Sequence, residues 1–70
     1  MKLQEQQYQV KLLYRSTMLQ VFLRRIKGDE CRGFVIQDGM MREVQPHEAE
    51  AIAATQPDNG SATDWISYPS

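Results

Sequence analysis

The chain has 70 residues, of which 41% are hydrophobic, and it contains one cysteine and one histidine. These counts exclude an internal disulfide and a Cys/His zinc site, so we expect no metal or cofactor and a reducing, cytoplasmic location. No apolar run is long enough to cross a bilayer and the N-terminal residues lack the apolar core of a signal peptide. The length predicts one marginally stable domain, supported by a partner or a second copy.

The formal net charge of −1 hides an uneven distribution along the chain. All eight lysines and arginines lie in residues 1–42 together with four acidic residues, which gives that segment a charge of +4. Residues 43–70 contain five acidic residues and no basic one, a charge of −5. Such an uneven distribution of charge indicates more about binding partners than about the fold.

Residues 8–26 predict two strands, because apolar and polar residues alternate with a period of two. On a helical wheel the basic side chains of this segment spread around the axis and leave no clean apolar stripe. The turn at residues 15–17 contains no Gly, Asn or Pro, so one kinked or bulged strand and a helix stay open as alternatives. The alternating residues are Tyr8, Val10, Leu12 and Tyr14, followed by Leu19, Val21 and Leu23.

Two turns predict a third and a fourth strand. Gly28, Asp29 and Glu30 form a polar turn, after which residues 31–37 predict a strand. The Asp38-Gly39 pair between apolar runs is typical of a two-residue hairpin, so residues 40–44 predict the returning strand.

The remainder predicts one helix and a tail. Pro46 suits the first helical position, and a short helix of residues 46–55 would pack through Ala49, Ile52 and Ala53. Pro57 ends it, and residues 57–70 have the composition of a flexible linker with an aromatic tail. The predicted fold class is therefore α+β: an antiparallel β-meander of three to four strands, one short helix and the flexible tail. Residues 1–56 would form the domain.

No residue is a strong candidate for catalysis or metal binding. His47 opens the predicted helix without an orienting partner, so we expect an exposed histidine. Cys31 lies beside two acidic residues, which favours a half-buried structural cysteine over a reactive thiolate. Glu43, Glu48 and Glu50 match no calcium-loop spacing and predict a solvated helix face. We therefore expect no enzyme activity.

A basic cluster near residues 24–32 is the stronger candidate for binding. It contains Arg24, Arg25, Lys27 and Arg32, with Phe22 and Phe34 nearby. Cations among aromatics on a sheet bind phosphates and stack bases in many small barrels. The same cluster suits an acidic protein surface, the acidic second half of the chain, or an edge strand guarded by charges against aggregation.

One stretch resembles a known family. Gly28 and Gly33, preceded by alternating Leu19, Val21 and Leu23 and followed by Asp38 and Met40-Met41, resemble the first motif of Sm-like and Hfq RNA-binding proteins. The interval from Gly33 to Asp38 is one residue shorter than in that motif, and a predicted helix at residues 45–56 stands where the second motif would lie. The resemblance implies an RNA-binding alternative, and no site residue is carried over from it.

The predicted tail offers aromatic anchors. Trp65, Ile66 and Tyr68 follow the linker, and Trp and Tyr are enriched at binding hot spots. They would enter a partner's groove or add a strand to its sheet, or Trp65 would instead fill the core of its own small domain.

These observations predict a small non-enzymatic cytoplasmic protein-binding module of bacterial or phage type, regulatory or inhibitory, that occupies a partner's surface. A small Sm-like or OB-like β-barrel that binds RNA or single-stranded DNA is the alternative, and a homo-oligomeric scaffold is a third possibility. The expected partner-binding residues are Arg24, Arg25, Lys27, Arg32, Trp65 and Tyr68.

Overall fold

The computed structural model describes residues 7–26, 30–58 and 60–69. In chain order they form β1 (Gln7–Arg15), β2 (Leu19–Arg25), β3 (Cys31–Gln37), β4 (Met40–Val44), α1 (Pro46–Ala54) and β5 (Trp65–Pro69). The five strands make one antiparallel sheet in the order β4-β3-β2-β1-β5. The helix α1 packs across β1, β2 and β3. The predicted antiparallel sheet with one helix is confirmed.

The local signals of the β3–β4 hairpin and of α1 act as predicted. Asp38 and Gly39 have φ angles of 56° and 75°, so both adopt the left-handed conformation of a type I′ turn. Pro46 opens α1 after an extended Gln45, where its fixed φ and missing N–H suit the first helical position. The predicted turn at residues 28–30 lies largely outside the described residues.

The core lies between α1 and one face of the sheet, which we call the core face. Along β2, Leu19, Val21 and Leu23 alternate into this core. Ala49 of α1 is fully buried against it. A Cβ atom at Gly33 would lie 3.1 Å from the Cβ of Ala49, so glycine allows the helix to approach the sheet this closely.

A β-bulge in β1 changes the predicted alternation. The register with β2 shifts between Leu12 and Tyr14, so Leu13 is the extra residue. Tyr14 therefore pairs with Val21 and joins the core, while Leu12 pairs with Phe22 on the opposite face. The prediction that Tyr8, Val10, Leu12 and Tyr14 share one face is wrong for Tyr14, because the bulge turns that side chain toward the helix.

The sheet has five strands instead of the predicted three or four, because residues 65–69 form β5 beside β1. Backbone hydrogen bonds join Arg15 to Ser61 in both directions, and the Thr63 N–H donates to the Leu12 carbonyl. The predicted flexible aromatic tail is not confirmed. Its alternating apolar residues cover the edge of β1 that would otherwise lack a partner.

Within the described residues, no helix is both long and apolar enough to cross a membrane.

Candidate interaction surface

The sheet face opposite α1, which we call the open face, is covered by no described helix or strand. Antiparallel sheets with one solvated face usually carry polar residues there. Here the strand register places nine large apolar or aromatic residues on that face. They are Tyr8, Val10, Leu12, Phe22, Phe34, Ile36, Met41, Ile66 and Tyr68.

Two aromatic pairs stack across neighbouring strands of the open face. The rings of Tyr8 and Tyr68 have centroids 5.6 Å apart and planes 23° from parallel. The rings of Phe22 and Phe34 have centroids 5.3 Å apart and planes 21° from parallel. Cross-strand aromatic pairs of this kind stabilise a sheet.

Arg24 lies over the second aromatic pair. Its guanidinium carbon is 4.8 Å from the centroid of the Phe34 ring, and Phe34 is only 8% exposed. The Nε atom of Arg24 is buried and has no hydrogen-bond partner within the described part of the chain. A buried donor without an acceptor is costly, and because this Nε is inaccessible, the Arg24 side chain would have to move before an incoming oxygen could accept from it.

Arg32 stands directly opposite Arg24 on β3. Like charges in such a pair repel, but two carboxylates balance Arg32. Its guanidinium lies 3.4 Å from the Glu43 carboxylate and 3.7 Å from that of Glu30. Arg24, Arg32, Glu30 and the exposed Ile26 line a depression of 410 Å³ at this end of the open face.

Arg25, the next residue after Arg24, belongs to the core face. Its guanidinium carbon is 4.3 Å from the ring centroid of Trp65. Its Nε and one terminal nitrogen both donate to the side-chain oxygen of Gln9, at 3.0 and 2.6 Å. Trp65 in turn packs against the hydrophobic core. Both side chains are therefore engaged within the fold.

Cys31 lies opposite Arg25 on the core face and packs against the core as a half-buried residue. Burial raises the pKa of its thiol; Arg25 acts against that shift, and Glu50 adds to it. The predicted half-buried position of Cys31 is confirmed.

The six residues expected to bind a partner therefore do not form one cluster. Arg24, Arg32 and Tyr68 share the open face, whereas Arg25 and Trp65 lie on the core face. Lys27 lies outside the described residues. Successive residues of a strand point to opposite faces, so adjacent arginines could not both belong to one surface.

Sequence reasoning missed most of the apolar residues of the open face. The available signal was the continuous runs Val21-Phe22-Leu23 and Phe34-Val35-Ile36. An uninterrupted apolar run in a strand indicates that both faces are covered. Tyr8 and Tyr68 are 60 positions apart in sequence, so only their non-local pairing in the sheet brings the two rings together.

The candidate catalytic and metal-binding residues remain dispersed. His47 is exposed in the first turn of α1, and Glu48 and Glu50 are exposed on the same helix. Among the described residues, no three His, Cys, Asp or Glu side chains gather where they could hold a metal ion.

Comparison with protein-family models, curated proteins and solved structures finds no match for this chain.

Proposed function

We propose that the chain is a non-enzymatic protein-binding module whose open face docks on an apolar partner surface flanked by acidic side chains. One observation carries this proposal: an aromatic and aliphatic sheet face, with an arginine of unpaired Nε at one end, has no described cover. The single free cysteine suits action in a reducing cytosol.

Apolar exposure supports a protein partner. Met41 on β4 is 60% exposed, and Ile66 and Tyr68 on β5 are 41% and 40% exposed, so the open face exposes apolar side chains at both edges of the sheet. Contiguous apolar surface with polar residues around it marks interaction sites on small proteins. Much of it is aliphatic, which suits side-chain packing in a protein interface better than base stacking.

Charge supports an acidic partner. The register places Arg15, Arg24 and Arg32 on the open face, and Glu43 is the acidic residue among them. Arg32 is already balanced by Glu43 and Glu30. Arg15 and Arg24 have no carboxylate within ion-pair distance among the described residues, so they would favour acidic side chains and speed encounter with them.

Selection of displayed random peptides against the purified chain tests this recognition chemistry. We expect enriched peptides to combine Asp or Glu with Trp, Phe or Leu, since these match the arginines and the apolar face. Arg24→Glu should weaken binding of the best peptide by about tenfold or more, because it removes an attraction and adds a repulsion.

Met18→Ala and Met41→Ala form the matched control pair. Both methionines are largely exposed, but Met18 lies in the β1–β2 loop and Met41 on the open face. We expect Met41→Ala to weaken peptide binding and Met18→Ala to leave it unchanged. Enriched peptides that are basic, or that bind wild type and Arg24→Glu equally, would refute the proposal.

Single-stranded nucleic acid is the second candidate, favoured by the stacked Tyr8–Tyr68 and Phe22–Phe34 pairs beside Arg24. Fluorescence anisotropy with labelled single-stranded RNA and DNA separates it from the first. Nucleic-acid binding would weaken steeply with salt, in proportion to the phosphates neutralised. No anisotropy change at low salt would eliminate this candidate and leave the protein-binding proposal standing.

A further inference from the structure

The outer edge of β4 is a second surface that could bind another chain. β4 pairs with β3 on one side and, in the described part of the chain, with no strand on the other. Its first four residues are exposed, and Met40 and Met41 are 74% and 60% exposed. A free strand edge with apolar side chains is a template for another strand.

The type I′ hairpin determines which backbone groups point outward. Gln37 and Met40 flank the two-residue turn, and in such hairpins the flanking residues exchange both hydrogen bonds. Bonded and non-bonded pairs then alternate, so Arg42 and Val44 also bond to β3. The N–H and C=O groups of Met41 and Glu43 are left pointing away from the sheet.

We infer that this edge binds the β4 strand of a second copy of the chain in antiparallel fashion, with the two-fold axis at Met41. An axis perpendicular to the sheet keeps both helices on the same side and pairs residues that share a face. The two Met41 residues then exchange both of their outward hydrogen bonds. Two five-stranded sheets become one sheet of ten strands.

Charge disfavours the two registers with the axis further along β4. With the axis at Arg42, two arginines would stand directly opposite one another, and with the axis at Glu43, two glutamates would do so. Both arrangements are unfavourable in an antiparallel pair. With the axis at Met41, each Arg42 lies opposite Met40 of the other copy, and the two Arg42 residues are diagonal neighbours.

The same register joins apolar surface. Ile36 and Met41 are cross-strand neighbours on the open face, so the paired edges would place Ile36, Met41 and their symmetry mates in one row. The inference does not depend on the proposed protein-binding function, because it rests on the outward backbone groups of β4. The Met41 side chain belongs to both surfaces, so Arg24→Glu, which lies away from the β4 edge, should weaken peptide binding and leave dimerisation unchanged. Only three residues of each β4, Met40 to Arg42, pair in this register, so we expect a weak dimer.

Sedimentation equilibrium over roughly 10 µM to 1 mM chain tests the inference, since this range brackets weak association. We expect wild type to change from monomer to dimer. Met41→Lys should weaken dimerisation by about tenfold or more, because it sets two cations opposite each other at the axis. Met18→Lys makes the same chemical change away from the edge and should leave the dimer unchanged.

Met40→Glu tests the register itself. It would put a carboxylate opposite Arg42 of the other copy in two symmetric pairs, so we expect dimerisation to be about threefold tighter or more. With the axis at Arg42, that carboxylate would instead face Val44 and bring no gain. Unchanged or weaker association of this variant would therefore refute the register.

Oxidative cross-linking gives a readout in a chain that keeps its fold. In a Cys31→Ser background, Met41→Cys should form a disulfide-linked dimer, because hydrogen-bonded pairs hold their Cα atoms at about 5.5 Å. Met18→Cys should cross-link much more slowly. A weak interface should still associate at about 1 mM, so a wild type that stays monomeric at that concentration would overturn the inference. Equal effects of the Met41 and Met18 variants would overturn it as well.

Discussion

Arg24 and Arg25 are neighbours on β2, and each lies over an aromatic ring, yet they have opposite positions in the molecule. Arg25 on the core face donates two hydrogen bonds to Gln9 and covers Trp65. Arg24 on the open face covers Phe34, and its buried Nε has no partner among the described residues. Arg25 is thus satisfied by its neighbours within the fold, whereas Arg24 keeps one unpaired donor.

The two faces also show that equal burial of two side chains does not mean equal packing. Phe34 is as well buried as Tyr14, at 8% exposure each, but Tyr14 belongs to the core under α1 and Phe34 is shielded on the open face beneath Arg24 and beside Phe22. A buried aromatic residue is therefore not always a core residue. Whether a partner can reach it depends on what covers it, which for Phe34 is the side chain of Arg24.

Truncating one leucine on each face should produce the largest contrast. Leu23→Ala on the core face should lower the free energy of unfolding by about 3 kcal/mol, because Leu23 is only 4% exposed and a cavity would remain. Leu12→Ala on the open face should cost about 1 kcal/mol, because Leu12 is half-buried and solvent fills its place. Urea unfolding followed by Trp65 fluorescence measures both. Equal losses would show that the open face is packed like the core.

Substituting the two arginines should give a smaller difference in the free energy of unfolding. Arg25→Ala should destabilise the chain by about 1.5 kcal/mol, since it removes two hydrogen bonds and the contact with Trp65. Arg24→Ala should cost about 0.5 kcal/mol, because the loss of the cation–π contact is partly offset by removal of the unpaired buried Nε. A double-mutant cycle between Arg25 and Gln9 isolates their coupling, which should be absent between Arg24 and Gln9. Arg24→Ala that destabilises as much as Arg25→Ala would contradict the comparison.

The smallest expected effect concerns the thiol of Cys31 on the core face. Burial raises its pKa above that of the unfolded chain, so the folded protein holds its proton more tightly. The resulting stabilisation is present at neutral pH and is lost as pH rises through the folded pKa. Thiolate absorbance during alkaline titration measures the pKa in folded and urea-unfolded chains. A folded pKa equal to or below the unfolded one would contradict this expectation.

A cysteine on the open face provides the control. In a Cys31→Ser chain, Ile66→Cys places the thiol at a position that is 41% exposed. Because it is less desolvated, this thiol should react faster with a disulfide reagent at pH 8 than Cys31 does in the wild type.

Local chemistry explains why much of the fold was predictable. The Asp38-Gly39 turn and Pro46 act through their own backbone preferences, and the structure gives β3, β4 and the start of α1 at the predicted residues. The helix contacts through Ala49, Ile52 and Ala53 also match, because an apolar face on a polar helix leaves only one way to pack.

Non-local contacts explain what was missed. The bulge at Leu13 depends on how Tyr14 fits beside Val21, which the Leu12-Leu13 pair does not reveal. β5 pairs with β1 after a segment whose Gly and Pro content is typical of a linker. The proposed site changed for the same reason: the sequence groups Arg24 with Arg25, and the pleat of the strand separates them.

The pairing of β1 with β5 also has a kinetic consequence. The side chains of Gln9 and Ser67 are hydrogen-bonded although they lie 58 positions apart. One side of β1 therefore has no neighbouring strand until β5 has been synthesised and has docked. Closing so long a loop is slow compared with forming the β3–β4 hairpin. During that interval Val10 and Leu12 lie on an unprotected edge, and the nascent chain is then most prone to aggregate.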